Sequence, residues 1–318
     1  MNAPLFIIGC PRSGTTLLLD LLAGTRAFGY INNSAADQVA TGVQHRRNRI
    51  YDVRGGDRLA AWRPRIIAAC APVGPVRSVA DTYLPRAIEP WRFWEDLIPG
   101  FRPEFGAGPA VDPSAFELHT ATALNVRSTV AAALHHQRRD VLLSKYTDFP
   151  RIELMRAIFP KARFVHIQRD GHAVANSYAR EIESGRFGTW HHRYWWADAW
   201  PEAARDEWTA SGETMLGFAA HNRNYLVEVI NQSTVGDPEI LTISYEDLTA
   251  QPESVLRQIL RFAEVQPQGA LDRLIRSRKI ANTNHRWRAQ RQIDEIALLD
   301  SILSPSLTID NDHSEEVR

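Results

Sequence analysis

Residues Gly9, Cys10, Pro11, Arg12, Ser13, Gly14, Thr15 and Thr16 form the segment of this chain whose residue types and spacing speak most directly of chemistry. The apolar run Leu5-Phe6-Ile7-Ile8 leads into them, and a helical run ending near Ala23 follows, with Gly24 placed to stop it. A buried strand that enters a glycine-bounded turn and then a helix makes an anion cradle, because consecutive backbone N–H groups and a helix N-terminus point at one spot. The glycine spacing is that of a P-loop. Thr15, however, stands where nucleoside triphosphatases place lysine, and the cation lies at Arg12. A loop without the lysine that spans β- and γ-phosphates suits a single 5′-phosphate bearing a leaving group, and so implies sulfuryl rather than phosphoryl transfer.

A second constellation begins at the end of the run 162–168. Arg169 follows that strand, Asp170-Gly171 opens a helix, and Ser177 lies eight residues further on, about two helical turns. Arg169 and Ser177 therefore face one anion if the helix folds back beside the strand end. In an open parallel sheet that edge is where ligands collect.

The elements that must position these groups alternate. Strand-like runs occur at 5–8, 140–145, 162–168 and 240–244, with a helical pattern ending near Phe159-Pro160 between the second and third. Pro252-Glu253 opens an amphipathic helix that turns Val255, Leu256, Ile259, Leu260 and Phe262 inward. The fold class that follows is α/β, a P-loop-like parallel β-sheet flanked by helices. Between Gly29 and Arg139 the periodicity weakens, which predicts an insertion of helices and loops that forms the acceptor side. The expectation is a single domain over 1–309 with a flexible tail at 310–318. The aromatic stretch 190–200 reads as packed core twice as readily as a lid.

Together the two motifs resemble the sulfotransferases that use 3′-phosphoadenosine 5′-phosphosulfate, and most nearly the bacterial branch with a CPRSGTT-type loop. The resemblance spans most of the chain. It implies that Arg12, Ser13, Gly14, Thr15 and Thr16 bind the 5′-phosphosulfate and that Arg169 and Ser177 bind the 3′-phosphate. Leu143-Ser144-Lys145-Tyr146-Thr147-Asp148 is similar to the family's lysine-bearing strand end, and Tyr245-Glu246-Asp247-Leu248 with Pro252-Glu253 resembles its late signature, read here as scaffold. The segment Asn282–Arg288 resembles the basic loop that closes over the nucleotide. Arg286 and Arg288 would then meet the 3′-phosphate and Trp287 would cover adenine. A solvated basic turn explains that segment equally well, since the family's glycine-rich form is absent.

Sulfuryl transfer needs cations where negative charge grows, a task for Arg12, the loop N–H groups and Lys145. It also needs a base for the acceptor's proton. Glu89, beside Pro90 and Trp91, is the leading candidate because the family carries a glutamate-proline in its acceptor region. An ion pair with Arg86 or Arg92 is the structural alternative, and Asp37, His119 and His191 are weaker choices. With no diphosphate–magnesium chelate to organise, no metal is expected.

Composition bounds the rest. Thirty-seven basic and thirty-seven acidic residues in 318 leave no global field for nucleic acid. Two cysteines, Cys10 and Cys70, make no disulfide framework and suit a reducing cytoplasm. The first strand starts too early for a signal peptide, and no apolar run approaches a membrane span. The expected acceptor is a hydroxyl or amine of a small molecule, glycan or lipid, and neither its identity nor the oligomeric state is legible. A small-molecule kinase and a non-catalytic nucleotide-binding protein are the rival readings.

Overall fold

The computed structural model describes residues 2–32, 43–53, 56–98, 101, 118–147, 149–185, 197, 200–278 and 280–303. Five strands, β1 (Leu5–Ile8), β2 (Gly29–Tyr30), β3 (Leu142–Lys145), β4 (Arg163–Gln168) and β5 (Ile240–Ser244), form one all-parallel sheet in the order β2-β3-β1-β4-β5. Side chains alternate between the two faces of a strand, and both faces of β1 are covered. Phe6 and Ile8 enter a cluster with Trp94, Val126, Val130, Met155 and Phe164. Leu5 and Ile7 pack with Leu18, Leu21, Val165, Leu256 and Ile259. Two-sided burial is why β1 reads as an unbroken apolar run.

The helices among the described residues are α1 (Thr15–Gly24), α2 (Gly56–Ala69), α3 (Gly74–Tyr83), α4 (Trp91–Leu97), α5 (Thr120–Gln137) and α6 (Ile152–Ile158), then α7 (Gly171–Glu183), α8 (Glu202–Ala210) and α9 (Met215–Thr234), and finally α10 (Tyr245–Ala250), α11 (Pro252–Phe262), α12 (Leu271–Ser277) and α13 (Ile293–Ile302). α4, α5 and α6 lie on the Phe6 side of the sheet, and α1 and α11 on the Leu5 side. A third cluster joins α7, α9 and α13 through Val174, Tyr178, Ile182, Leu226 and Leu299. Local sequence sets several of the ends: Asp170 caps α7 by accepting from Ala173 N at 2.7 Å, and Pro252 occupies the first turn of α11.

The insertion is narrower than 29–139. Gly29–Tyr30 is the edge strand of the sheet, and α5 belongs to the main core. A two-residue strand shows no period, and the buried stripe of α5 is built largely of Ala123, Val126, Val130 and Ala133, too weakly apolar to stand out. The segment inserted between them contributes a 3-10 helix (Val43–Tyr51) and α2, α3 and α4. The tail at 310–318 lies outside the described residues, as does the stretch 190–200 apart from Ala197 and Trp200. Trp200 is buried against Trp208 and Phe218.

β1 is the switch point of the topology, with β3 on one side and β4 on the other. The segments leaving β1, β3 and β4 therefore converge at one edge of the sheet.

Candidate functional site

The turn after β1 is held in a shape few residues adopt. Gly14 has φ 98° and Arg12 has φ 74°, both left-handed. A Cβ on Gly14 would stand 2.6 Å from Tyr245 Cδ2, so the turn rests directly on the ring that opens α10. Ser13 and Thr15 are buried, and Ser13 N donates to Cys10 O at 3.2 Å. α1 starts at Thr15 with no side chain capping it. Its first amides have no partner within the helix and aim at the open edge of the sheet. Cys10 is buried in this turn, and burial pushes its thiol up to about 12 and so favours the protonated form.

Lys145 ends β3 against this turn. Its buried Nζ lies 3.1 Å from Thr16 Oγ1, 3.4 Å from Thr15 Oγ1 and 3.0 Å from Glu89 Oε2. The other carboxylate oxygen, Glu89 Oε1, accepts from Thr147 Oγ1 at 2.8 Å. Glu89 arrives on an extended segment fixed by an antiparallel bridge between Asn32 and Ala87, and Ile88 N donates to Ile31 O at 3.4 Å. Three distant stretches thus bring a cation, a carboxylate and two threonine hydroxyls to the head of α1. The cation at the head of α1 is thus supplied by a neighbouring strand and not by the turn itself.

Beyond the turn, Arg12, Arg169, Ser177, Arg180, Thr283, Arg286 and Trp287 line an open cleft of about 400 Å3. Arg169 and Ser177 do face one space, as their spacing along β4 and α7 requires. Arg12 Nε donates to Ser177 Oγ at 3.0 Å, and Arg12 also pairs with Glu181 at 3.3 Å, so its guanidinium stands in this cleft. Arg169 is the most constrained cation of the group. It donates to Arg12 O at 2.9 Å, to Asn284 Oδ1 at 2.9 Å and to Thr283 Oγ1 at 3.1 Å, and it lies 4.2 Å from the centre of the Tyr245 ring. Burial draws its pKa below the ordinary arginine value. Glu246 completes the support by accepting from Asp170 N at 3.1 Å and from Asn284 Nδ2.

Trp287 stacks on His172 with ring centres 4.7 Å apart and planes 18° from parallel, and the Arg288 guanidinium lies 5.1 Å from the centre of the same indole ring. The indole is engaged by the protein, and Arg288 is not among the cleft's lining residues, whereas Arg286 is. His119 is exposed at the N-cap of α5. Asp37 and His191 lie outside the described residues. Sequence reasoning missed Thr147, Thr283, Asn284 and Glu181, and it read Tyr245 and Glu246 only as scaffold. Of these, Thr147 and the Thr283-Asn284 pair lie inside segments already singled out, without a role of their own there, and their polarity next to Lys145 and Arg286 was the available signal.

No curated protein matches the chain in sequence. Among solved structures, sulfotransferase STF9 from Mycobacterium avium is similar at 16% identity and a TM-score of 0.54, covering 95% of this chain and 75% of that one. Sulfotransferase STF1 from Mycobacterium tuberculosis H37Rv aligns at 12% identity and a TM-score of 0.47 over 91% and 76% of the two chains. The sulfotransferase domain of the Synechococcus PCC 7002 olefin synthase aligns at 18% identity and a TM-score of 0.42 over 96% and 97%. The likeness to STF9 concerns the fold. The sequence profile of the sulfotransferase family matches residues 4–268, a span that includes all five strands, the loop at 9–16, Lys145 and Arg169, and on this ground the chain belongs to the sulfotransferase family.

Proposed function

We propose that this protein transfers the sulfuryl group of 3′-phosphoadenosine 5′-phosphosulfate to a hydroxyl or amine of a small-molecule, glycan or lipid acceptor, without a metal ion. The observation that carries the reading is the contact of Lys145 with both Thr16 and Glu89, which sets a cation and a base side by side at an uncapped helix N-terminus. In this reading the 5′-phosphosulfate lies on the N–H groups of the turn and of Thr15 and Thr16. The acceptor oxygen attacks sulfur in line, the bond from sulfur to the bridging phosphate oxygen breaks, and that oxygen keeps the electron pair. Glu89 takes the acceptor's proton, and Lys145 moves from the carboxylate to the leaving oxygen, so neither charge is left unpaired in a buried place. Arg169 and Ser177 receive the 3′-phosphate with Arg286. Arg12, already on Ser177, belongs to both anion positions, as its backbone is part of one and its guanidinium part of the other.

Calorimetric titration in the absence of metal tests the donor. 3′-Phosphoadenosine 5′-phosphate is expected to bind more tightly than adenosine 5′-phosphate by about ten- to a hundredfold, the effect of charge-assisted hydrogen bonds to one phosphate. Arg169→Ala should abolish that preference. A preference for ATP, or equal loss of both ligands in Arg169→Ala, would overturn the assignment.

A further inference from the structure

The hairpin of α2 and α3 differs from the rest of the molecule in charge and in what it exposes. Residues 43–84 contain eight arginines, three aspartates and no lysine or glutamate, a net +5 in a chain whose total is zero. Inside them, residues 66–76 (Ile-Ile-Ala-Ala-Cys-Ala-Pro-Val-Gly-Pro-Val) form an uncharged run that ends α2, turns and opens α3, with Arg65 before it and Arg77 after. Folding does not cover this run, since residues 68, 69 and 71–77 are exposed. Of the nine large apolar side chains left exposed among the described residues, six belong to this region: Val53, Trp62, Val73, Val76, Val79 and Tyr83. Val76, Val79 and Tyr83 are three and four residues apart, which sets them on one face of α3, turned to solvent. At the base of the hairpin Arg58, Trp62 and Arg65 meet Arg273 and Arg276 of α12 around a groove of about 410 Å3. The Arg65 guanidinium lies 5.9 Å from the Trp62 ring centre, and Arg276 also pairs with Asp272.

We propose that the α2–α3 hairpin docks this protein on an anionic lipid bilayer. Residues 66–76 enter the boundary between headgroups and acyl chains, Trp62 lies at headgroup level, and the surrounding arginines meet lipid phosphates. Charge complementarity selects this occupant. A second copy pairing through the same face would set its arginines against these, at a repulsive cost. The convex tip has no polar side chain except Cys70, so it offers a protein partner little to recognise, whereas a bilayer asks only for apolar surface ringed by cations and an interfacial aromatic. The surface is separate from the donor cleft, and its test does not depend on the donor reading.

The experiment is cosedimentation of the full chain with vesicles of phosphatidylcholine alone and of phosphatidylcholine mixed with phosphatidylglycerol, at low and high salt. The mixed vesicles should capture the protein, the neutral ones far less, and added salt should release it. The double substitution Val73→Asp with Val76→Asp, and separately Arg65→Gln with Arg77→Gln, should each lower partitioning by about tenfold or more. Both pairs are at the surface, and unchanged circular dichroism and urea-unfolding midpoints would verify intact folds. The proposal fails if the wild-type chain ignores mixed vesicles, or if the substitutions leave capture unchanged. It also fails if sedimentation reveals a dimer that the same substitutions dissociate, which would make the hairpin a self-association surface.

Discussion

Gly14→Ala probes whether the phosphate-type turn is held by direct contact with α10. At φ 98° an alanine incurs the left-handed backbone penalty, about 1–2 kcal/mol. Its Cβ would also lie 2.6 Å from Tyr245 Cδ2 and 3.2 Å from Cε2, so the ring must shift, which adds about 1–3 kcal/mol of overpacking. Gly212 supplies the matched control, because its φ is 84° and a Cβ there would meet nothing within 4 Å. Gly212→Ala should therefore lose only the backbone contribution. Urea unfolding of both variants, read as a midpoint change at constant slope, measures the difference. A second readout follows from what Tyr245 supports: its ring lies under Arg169 and its hydroxyl donates to Ala281 O at 3.1 Å. Displacing it should weaken calorimetric binding of 3′-phosphoadenosine 5′-phosphate in Gly14→Ala and leave Gly212→Ala at the wild-type value. Equal stability losses in the two variants, with nucleotide binding intact in both, would refute the claim that the Tyr245 ring holds the turn.

Glu89→Gln keeps an acceptor for Thr147 and removes the negative charge, so turnover should fall by about a hundredfold or more while nucleotide binding persists; normal turnover would send the base elsewhere. His166 sits in β4 with 1% of its surface exposed and Nδ1 without a hydrogen bond, and burial pulls its pKa down to about 4. The unfolded chain therefore binds a proton between about pH 6.5 and 4 that the native chain refuses, so stability present above pH 6.5 is lost as the pH falls, by about 3 kcal/mol over that window. Denaturant titrations across the window should show that slope in the wild type and a flatter one in His166→Leu, and parallel slopes would rule out His166 as the source.

Much of the sheet is legible because β1, β3, β4 and β5 are apolar runs bounded by turn chemistry, and two-sided burial leaves no polar alternation to confuse them. β2 is invisible for a different reason: two buried residues, Gly29 and Tyr30, are too short a run to show any period. At the site, local spacing predicts what lies on one strand–turn–helix unit, such as Arg169 with Ser177. It says nothing of contacts made across the chain. That Lys145 meets Glu89, and that Arg12 turns toward Ser177, depend on how β1, β3 and β4 lie side by side. Tyr245 shows the same limit. Its motif marks a helix start, while its place beneath Arg169 and against Gly14 emerges only once β5 is set beside β4.

Arg169 ties the backbone of Arg12 to Thr283 and Asn284, and this has a bearing on synthesis. The sheet is complete once the chain has passed Ser244, whereas one wall of the cleft waits for residues some forty positions later. A chain emerging from the ribosome N-terminus first thus has the strands of its scaffold before the last wall of the cleft. A chain stopped between α11 and residue 283 therefore holds its five strands and the helices of both faces, while its Arg169 lacks two of its three hydrogen-bond acceptors. The cleft walled by Thr283, Arg286 and Trp287 is consequently confined to molecules whose C-terminal segment has already docked.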